Sequence, residues 1–460
     1  MTTTGGRMVR LCVAGLLATL PLGVAPSAFA VTPPAVDDSM LPKPGPPSPP
    51  RPTEQQERCV AAPPTSAAPA DAGQLKGLGL QQLWKFTRGA GQTVAVIDTG
   101  VARHRLLPHL VPGGDYVYAA DGTDDCDGHG TVVAGIIGAQ PDSDESTFSG
   151  IAPDATLVSI RQSSNKFRAK DDPSGSGFGD VDTLASAVRT AADMGATVIN
   201  VSSVACLPSD GGLDDRPLGA ALAYAVDVKN VVVVAAAGNV GGPGQCPKQN
   251  PVADPARPGQ PDWDRVSVVV SPAWYDDYVL TVGSVDAHGA PSSFSLAGPW
   301  VDLAAPGEGI VSLDPDGEGL VSSLPTSGDP IPISGTSYAA PVVSGIVALV
   351  RSRSPELTAR QVMRGIEETA HRPAAGWDPV VGHGVIDALA AVSGDATTTP
   401  ALEGPPSRPV SYPDGTPTDR RAHQFAVGGA AVCLAVALAT VAMTASAARL
   451  RRSRDAVARD

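Results

Sequence analysis

The chain reads Gly-Thr-Ser-Tyr-Ala-Ala-Pro from Gly335 to Pro341, and small and apolar residues continue from Val342 to Val350. This pattern predicts a buried helix that opens on a serine between small neighbours. Small neighbours let a substrate backbone come close, and a helix N-terminus favours a developing negative charge. The same stretch also fits a turn that only caps a buried helix. Ser337 is therefore a candidate nucleophile, with a purely structural role as the alternative.

Two upstream stretches hold the side chains that a serine nucleophile requires. Val94–Asp98 is an apolar run too short for a helix, and a glycine turn follows it. It predicts a buried parallel strand with the Asp98 carboxylate at its C-terminal end, where open α/β sheets place their sites. His129 lies between two glycines at the start of a second apolar helix. Taken singly, Asp98 fits a helix cap and His129 fits a turn or a metal ligand.

Together the three stretches resemble the signature regions of the subtilisin-like serine proteases, the subtilases. Asp98, His129 and Ser337 follow the chain order of the subtilisin triad. The resemblance covers roughly residues 81–391. It implies an α/β, subtilisin-like three-layer fold, in which helices flank a mostly parallel sheet, and it implies serine endopeptidase activity through an acyl-enzyme.

The resemblance gives each triad residue a chemical role. Ser337 is the nucleophile, and because a hydroxyl is protonated at neutral pH it requires a base. His129 takes the proton and returns it to the leaving amine, while Asp98 holds the imidazole tautomer. The family's chemistry requires no cofactor, and no compact carboxylate cluster in the sequence indicates a metal site.

A fourth match follows the apolar run Val231–Ala237, which predicts a buried strand ending in Gly238-Asn239. In subtilases the asparagine at this point donates a hydrogen bond from its side chain to the oxyanion, so Asn239 is expected to do so with the backbone N–H of Ser337. A turn residue with a left-handed backbone is the alternative for Asn239.

The chain departs from the family after the predicted strand Thr197–Ser202. Many subtilases continue with Ser-Leu-Gly-Gly, whereas this chain has Ser202-Ser203-Val204 and then Cys206. The resemblance still implies that Ser202, Ser203 and Val204 form an edge that binds protein or peptide substrates as an added strand. The bulkier residues and the nearby cysteine predict narrow specificity.

The N-terminus has the layout of an exported protein. Residues 1–30 combine two arginines, an apolar core and the small-residue site Ala28-Phe29-Ala30, which predicts a signal peptide rather than a transmembrane anchor. Residues 31–80 form a proline-rich extension that is too short and too rich in proline for a folded pro-domain. Because the extension contains Cys59, we expect it to be tied onto the catalytic domain.

Cysteine usage agrees with export. Apart from one cysteine in the signal peptide and one in an apolar C-terminal segment, four remain: Cys59, Cys126, Cys206 and Cys246. An even number in an oxidising compartment predicts two disulfides, with three possible pairings. We favour Cys59–Cys126, beside the His129 motif, together with Cys206–Cys246. A metal site is the alternative, but no pair has ligand spacing.

The C-terminus predicts a membrane anchor. Residues 392–423 form a Pro/Thr/Ser-rich linker, and residues 424–448 carry no charge. This segment is long enough to cross a hydrocarbon core of ~30 Å. The basic tail, 449–460, contains four arginines within its first six residues, which places it in the cytoplasm and the protease outside. A buried core helix is the alternative for 424–448.

The whole layout resembles the mycosins, membrane-anchored subtilases of actinobacterial type VII secretion systems. The resemblance implies limited proteolysis of secreted proteins and a structural contribution to a membrane secretion complex. A net charge of −14 argues against a nucleic-acid partner. Two other hypotheses remain: a general cell-envelope processing or degradative protease, and a scaffold in which the triad is unimportant. The intact set of Asp98, His129, Asn239 and Ser337 favours chemistry.

Overall fold

The computed structural model describes residues 31–32, 34–60, 75–141, 148–242, 245–252, 257–324 and 331–394. The predicted signal peptide, transmembrane segment and basic tail, and the linker beyond residue 394, lie outside these ranges. Among the helices that are described, none combines the length and the hydropathy of a membrane span.

The described residues contain short strands, with α-helices between some of them. The strands are β1 Thr53–Gln55, β2 Thr93–Asp98, β3 Leu110–Asp115, β4 Thr156–Arg161, β5 Phe167–Ala169, β6 Val198–Val201, β7 Ala205–Pro208, β8 Val232–Ala236, β9 Val268–Ser271, β10 Leu280–Val285, β11 Leu303–Pro306, β12 Ser312–Leu313, β13 Leu320–Val321, β14 Ser323–Leu324 and β15 Ile331–Pro332. The α-helices are α1 Leu80–Leu83, α2 His129–Gly138, α3 Val181–Asp193, α4 Arg216–Ala223, α5 Thr336–Arg353, α6 Ala359–Thr369 and α7 Ala388–Ser393.

The central sheet contains seven strands in the order β11-β10-β8-β6-β2-β4-β3. Every neighbouring pair in it is parallel, which confirms the predicted mostly parallel α/β sheet. Its inner strands are buried on both faces and rich in valine, isoleucine and alanine, as expected where helices cover a parallel sheet. Parallel strands pointing the same way bring their carboxyl ends to one edge of the sheet.

Helices cover both faces of the sheet. Helix α2 packs against α5, and α3 packs against α4. Both α2 and α3 contact β2 and β4, and consecutive residues of β2, which point to alternate faces, are buried. The result is the three-layer arrangement expected from the sequence.

Two helix ends have a local explanation or an irregular continuation. Helix α4 ends at Ala223 and continues as a π-helical turn, Tyr224–Val228. Helix α6 begins at Ala359, because the Thr358 and Gln361 side chains form a capping box there.

The proline-rich extension lies against the catalytic domain, as its cysteine predicted. Strand β1 pairs antiparallel with β5, and the Val60 N–H donates to the Cys126 carbonyl at 2.9 Å. Two ion pairs, Glu57–Lys166 and Glu54–Arg168, join the segments that contain β1 and β5. The structure contains the Cys59–Cys126 and Cys206–Cys246 disulfides, which is the favoured pairing of the three.

We expect loss of the Cys59–Cys126 disulfide to free the extension before the central sheet unfolds. In a Cys59→Ala/Cys126→Ala variant, hydrogen exchange at the Gln56 amide, which donates to the Lys166 carbonyl, should accelerate by about 100-fold. This factor lies within the ~2–4 kcal/mol that a disulfide typically contributes. The intact chain undergoes exchange, and mass spectrometry of its peptides after proteolysis gives the rate.

The matched control is Cys206→Ala/Cys246→Ala, which removes the other disulfide and should leave exchange in β1 unchanged. The interpretation is wrong if both variants release β1 equally, or if β1 and β2 lose protection together.

Candidate active site

Asp98 and His129 form a hydrogen-bonded pair at the carboxyl edge of the sheet. Asp98 is the last residue of β2 and its side chain is fully buried, while His129 is the first residue of α2. The His129 Nδ1 and Asp98 Oδ1 atoms are 2.7 Å apart. An ionised carboxylate only accepts, so Nδ1 carries the hydrogen and Nε2 is left as the basic nitrogen.

Glycine at position 130 allows the two loops to approach this closely. A Cβ atom at Gly130 would collide with the Gly100 carbonyl oxygen and would lie 3.1 Å from the Asp98 Cβ atom. The Gly130 N–H also donates to the Thr99 hydroxyl at 3.0 Å. The glycine of the sequence motif is thus explained by packing between the Asp98 turn and the start of α2.

Asp125 fastens the same two segments together, and the sequence reasoning did not identify it. Its Oδ1 accepts from the Thr99 hydroxyl and from the Gly128 N–H, each at 2.8 Å. Its Oδ2 accepts from the Thr131 N–H at 2.8 Å and from the Thr131 hydroxyl at 2.7 Å. Asp125 therefore satisfies an orphan amide in the first turn of α2 while it holds the residue after Asp98. Its position four residues before His129 was the available sequence signal.

The carboxylates around His129 favour its charged form. Burial lowers the pKa of the imidazole, but the charge and hydrogen bond of Asp98, with the charges of Asp125 and Asp127, outweigh it and raise the pKa above its ordinary value. Burial also raises the pKa of the Asp125 carboxyl to about 6, against the hydrogen bonds from Thr131 and Thr99. The site is thus built to stabilise a positive imidazolium.

Ser337 lies in the first turn of α5, and Asn239 follows β8. The Asn239 Oδ1 atom accepts from the Thr336 N–H at 2.9 Å and from the Thr336 hydroxyl at 3.1 Å. These bonds fix the orientation of the amide and leave its Nδ2 group as the donor for the cleft. A Cβ at Gly335 would be 3.1 Å from Ser337 Oγ and 3.6 Å from Asn239 Nδ2, so glycine keeps the space between them open.

The site opens on one cleft of about 870 Å³. His129, Asn239 and Ser337 lie on it, as do the predicted edge residues Ser203 and Val204. The Cys206–Cys246 disulfide forms part of the wall on the same side. Val60 of the extension also borders the cleft, which the sequence did not indicate.

Ser202 also borders the cleft, and its side chain makes a hydrogen bond to the backbone of Ser337. It is 4% exposed, and its hydroxyl donates to the Ser337 carbonyl at 2.7 Å.

The Tyr338 ring packs on the His129 ring with centroids 5.1 Å apart. Burial, with the charges of Asp98 and Asp125, raises the pKa of the Tyr338 hydroxyl, so it stays neutral.

No cluster of three or more histidine, cysteine, aspartate or glutamate side chains is arranged to hold a metal ion within the described ranges. The geometry offers a base, a serine hydroxyl and an amide donor around one open cleft. That set is suited to acyl transfer by a serine.

Comparisons with known proteins agree with this geometry. The sequence signature of the subtilase family (Peptidase S8) matches residues 89–384. The chain is 58% identical over 475 residues to Mycosin-4 of Mycobacterium tuberculosis, and the match covers 100% of both chains.

Two solved structures are similar as well. One is the MycP3 protease from the type VII (ESX-3) secretion system, with a TM-score of 0.73, 46% identity, and coverage of 79% of this chain and 99% of that one. The other is a chain in the periplasmic assembly from the ESX-5 inner membrane complex, with a TM-score of 0.73, 43% identity, and coverage of 79% and 94%. The chain is a serine endopeptidase of the subtilase family and belongs, within that family, to the mycosins.

Proposed function

We propose that Ser337, His129, Asp98 and Asn239 carry out peptide-bond hydrolysis in this cleft. The observation that supports this most directly is the 2.7 Å bond between His129 Nδ1 and the buried Asp98, which leaves Nε2 as the base beside the cleft that Ser337 borders. No metal or cofactor takes part in this chemistry.

The first half-reaction forms an acyl-enzyme. The Ser337 hydroxyl attacks the substrate carbonyl carbon while His129 Nε2 takes its proton, and the Asp98 carboxylate stabilises the imidazolium. The oxyanion accepts hydrogen bonds from Asn239 Nδ2 and from the Ser337 N–H, which lies in the first turn of α5 and has no helical acceptor. Collapse breaks the C–N bond, and the leaving amine takes the proton from His129. Water then attacks the carbonyl carbon of the ester with His129 as the base, and the bond to Ser337 breaks as the serine oxygen takes the proton back from His129.

The substrate backbone binds as an added strand along Ser203 and Val204, which continue from β6. Val204 and the Cys206–Cys246 disulfide narrow the cleft here, and Val60 of the extension forms another part of its wall. We infer narrow specificity, with cleavage confined to few protein substrates. In this proposal the extension (31–80) and the catalytic domain (81–391) both contribute residues to the wall of the substrate cleft.

We infer the cellular role from the proteins that this chain resembles. The likeness to MycP3 of the ESX-3 system and to a chain of the ESX-5 periplasmic assembly supports a role in type VII secretion, as a processing protease and as a component of the complex. The predicted signal peptide and the 424–448 span make the protein a single-pass membrane protein with an extracytoplasmic protease and a cytoplasmic C-terminus. The two disulfides agree with an oxidising compartment outside the cytoplasm.

We expect Ser337→Ala to abolish proteolysis and to preserve the structural contribution to secretion. In a host that lacks this gene, the variant should restore the amount of secreted protein but leave substrates uncut, because removal of a triad serine lowers turnover by about 10⁶-fold. The amount and size of secreted proteins are measured, with the level of the protease checked by blot.

Ser293→Ala, an exposed serine away from the cleft, is the matched control and should behave as wild type. If deletion of the gene leaves secretion unchanged, the secretion role is wrong and a general envelope protease is the better account. Cleavage by Ser337→Ala at the wild-type rate would remove Ser337 from the mechanism.

The pH dependence of the reaction rate should reflect the effect of the nearby carboxylates on the pKa of His129. The reaction requires neutral His129, so its raised pKa places the acid limb of the rate above the ordinary histidine value of about 6.5. Asp127→Asn removes one charge that raises this pKa, so the acid limb should move to lower pH by about half a unit. The measurement is the rate at which a fluorophosphonate labels Ser337 in the purified full chain, between pH 5 and pH 9.

Asp286→Asn, which removes a carboxylate paired with His288 instead, should not move the limb. A shift to higher pH in Asp127→Asn, or the same shift in both variants, would contradict the electrostatic explanation.

A further inference from the structure

Helix α5 has a proline four residues after Ser337, and this affects the nucleophile's own backbone. In an α-helix the carbonyl of residue i accepts from the N–H of residue i+4. Pro341 has no N–H, so the Ser337 carbonyl loses its helical donor. Both residues are buried in the structure, where a carbonyl without a partner is costly.

Ser202 supplies the missing donor. Its hydroxyl lies 2.7 Å from the Ser337 carbonyl oxygen and is buried. The Asn200 Nδ2 group donates to the Ser202 oxygen at 2.9 Å, which directs the hydroxyl hydrogen toward the Ser337 carbonyl. The Ser344 hydroxyl in turn donates to Asn200 Oδ1 at 2.9 Å. Three hydrogen bonds therefore run from α5 through the end of β6 and back to α5.

The middle of this series of hydrogen bonds is closed to solvent. Asn200 and Ser344 have no exposed surface, so water does not compete for their hydrogen bonds. Each donor in the chain points toward Ser337, and every member is paired with the next. A buried network that is fully satisfied in this way fixes one arrangement of its members.

We propose that Ser202 is a positioning residue for the nucleophile, which it holds by replacing the helical hydrogen bond that Pro341 removes. This proposal rests on the function proposed above, in which Ser337 attacks the substrate. The carbonyl direction sets the ψ angle of Ser337, and through it the placement of the first turn that carries both the hydroxyl and the oxyanion N–H. Because Ser203 and Val204 follow directly, the same residue links the nucleophile to the edge along which substrate binds.

The test combines Ser202→Ala with Pro341→Ala, because alanine at 341 restores a backbone N–H at the position where the carbonyl requires one. Labelling of the purified full chain by a fluorophosphonate gives a maximal rate of Ser337 modification and a separate binding constant for the probe. Ser202→Ala should lower the maximal rate by about 10–100-fold, the cost of a misplaced reacting group, with the probe's binding constant unchanged. The double variant should recover most of the lost rate.

Ser149→Ala is the matched control. Ser149 is another buried serine that donates to a main-chain carbonyl, that of Ala139 at 2.9 Å, and it does not border the cleft. It should lower thermal stability and leave the maximal labelling rate unchanged. A general effect of losing a buried serine is thereby separated from an effect on the nucleophile.

The outcomes separate the two proposals. Wild-type labelling of Ser202→Ala, or a double variant no faster than Ser202→Ala, overturns the positioning role. If Ser202→Ala does not fold, the double variant decides, since the proposal requires it to fold and to be labelled. Labelling that persists in Ser337→Ala would instead refute the proposed function itself.

Discussion

The register of the parallel sheet is the constraint on which the site depends. Strands β8, β6 and β2 are neighbours, and Ile97 of β2 is level with Val201 of β6, which is level with Ala235 of β8. The residues that follow in each strand therefore leave the sheet side by side: Asp98 at once, Ser202 beside it, and Asn239 after a short turn. Because the strands are fixed by ladder hydrogen bonds inside a dry core, three chemically different groups are held at one edge without a flexible element.

Two helix N-termini meet this edge, and each is held by a short polar side chain rather than by its own backbone. Asp125 accepts from the Gly128 N–H just before α2 and from the Thr131 N–H in its first turn, and the Ser202 hydroxyl donates to a carbonyl in the first turn of α5. Asp125 also accepts from the Thr99 hydroxyl beside the end of β2, and Ser202 directly follows β6, so each helix end is tied to the sheet edge it faces. Catalysis by preorganised dipoles requires this kind of support, since reorganisation during the reaction would reduce the benefit.

Sequence motifs predicted the fold and the four central residues because those motifs combine local backbone requirements with chemistry. A strand ending in aspartate, a glycine-flanked histidine and a serine in the first turn of a proline-containing helix each have a local explanation in the structure. The role of the Ser202 side chain was not predictable in this way, because it depends on where α5 crosses the end of β6. Likewise β1 is a short polar strand, Thr53–Gln55, with no apolar alternation, so its pairing with β5 had no sequence signal.

The extension and the catalytic domain together form the cleft, and the strength of their attachment decides how they act. The exposed ion pairs Glu57–Lys166 and Glu54–Arg168 each contribute little, about 0–1 kcal/mol. The β1–β5 ladder and the Cys59–Cys126 disulfide are the stronger links. The ladder holds the extension against the segment that runs from β4 to α3, and the disulfide holds it to the loop before α2. That segment borders the cleft from Gln162 to Leu184, as does Val60. A covalent link one residue from Val60 makes this part of the extension a piece of the cleft wall. Under the proposed function, we therefore expect the extension and the subtilase core to select substrates together.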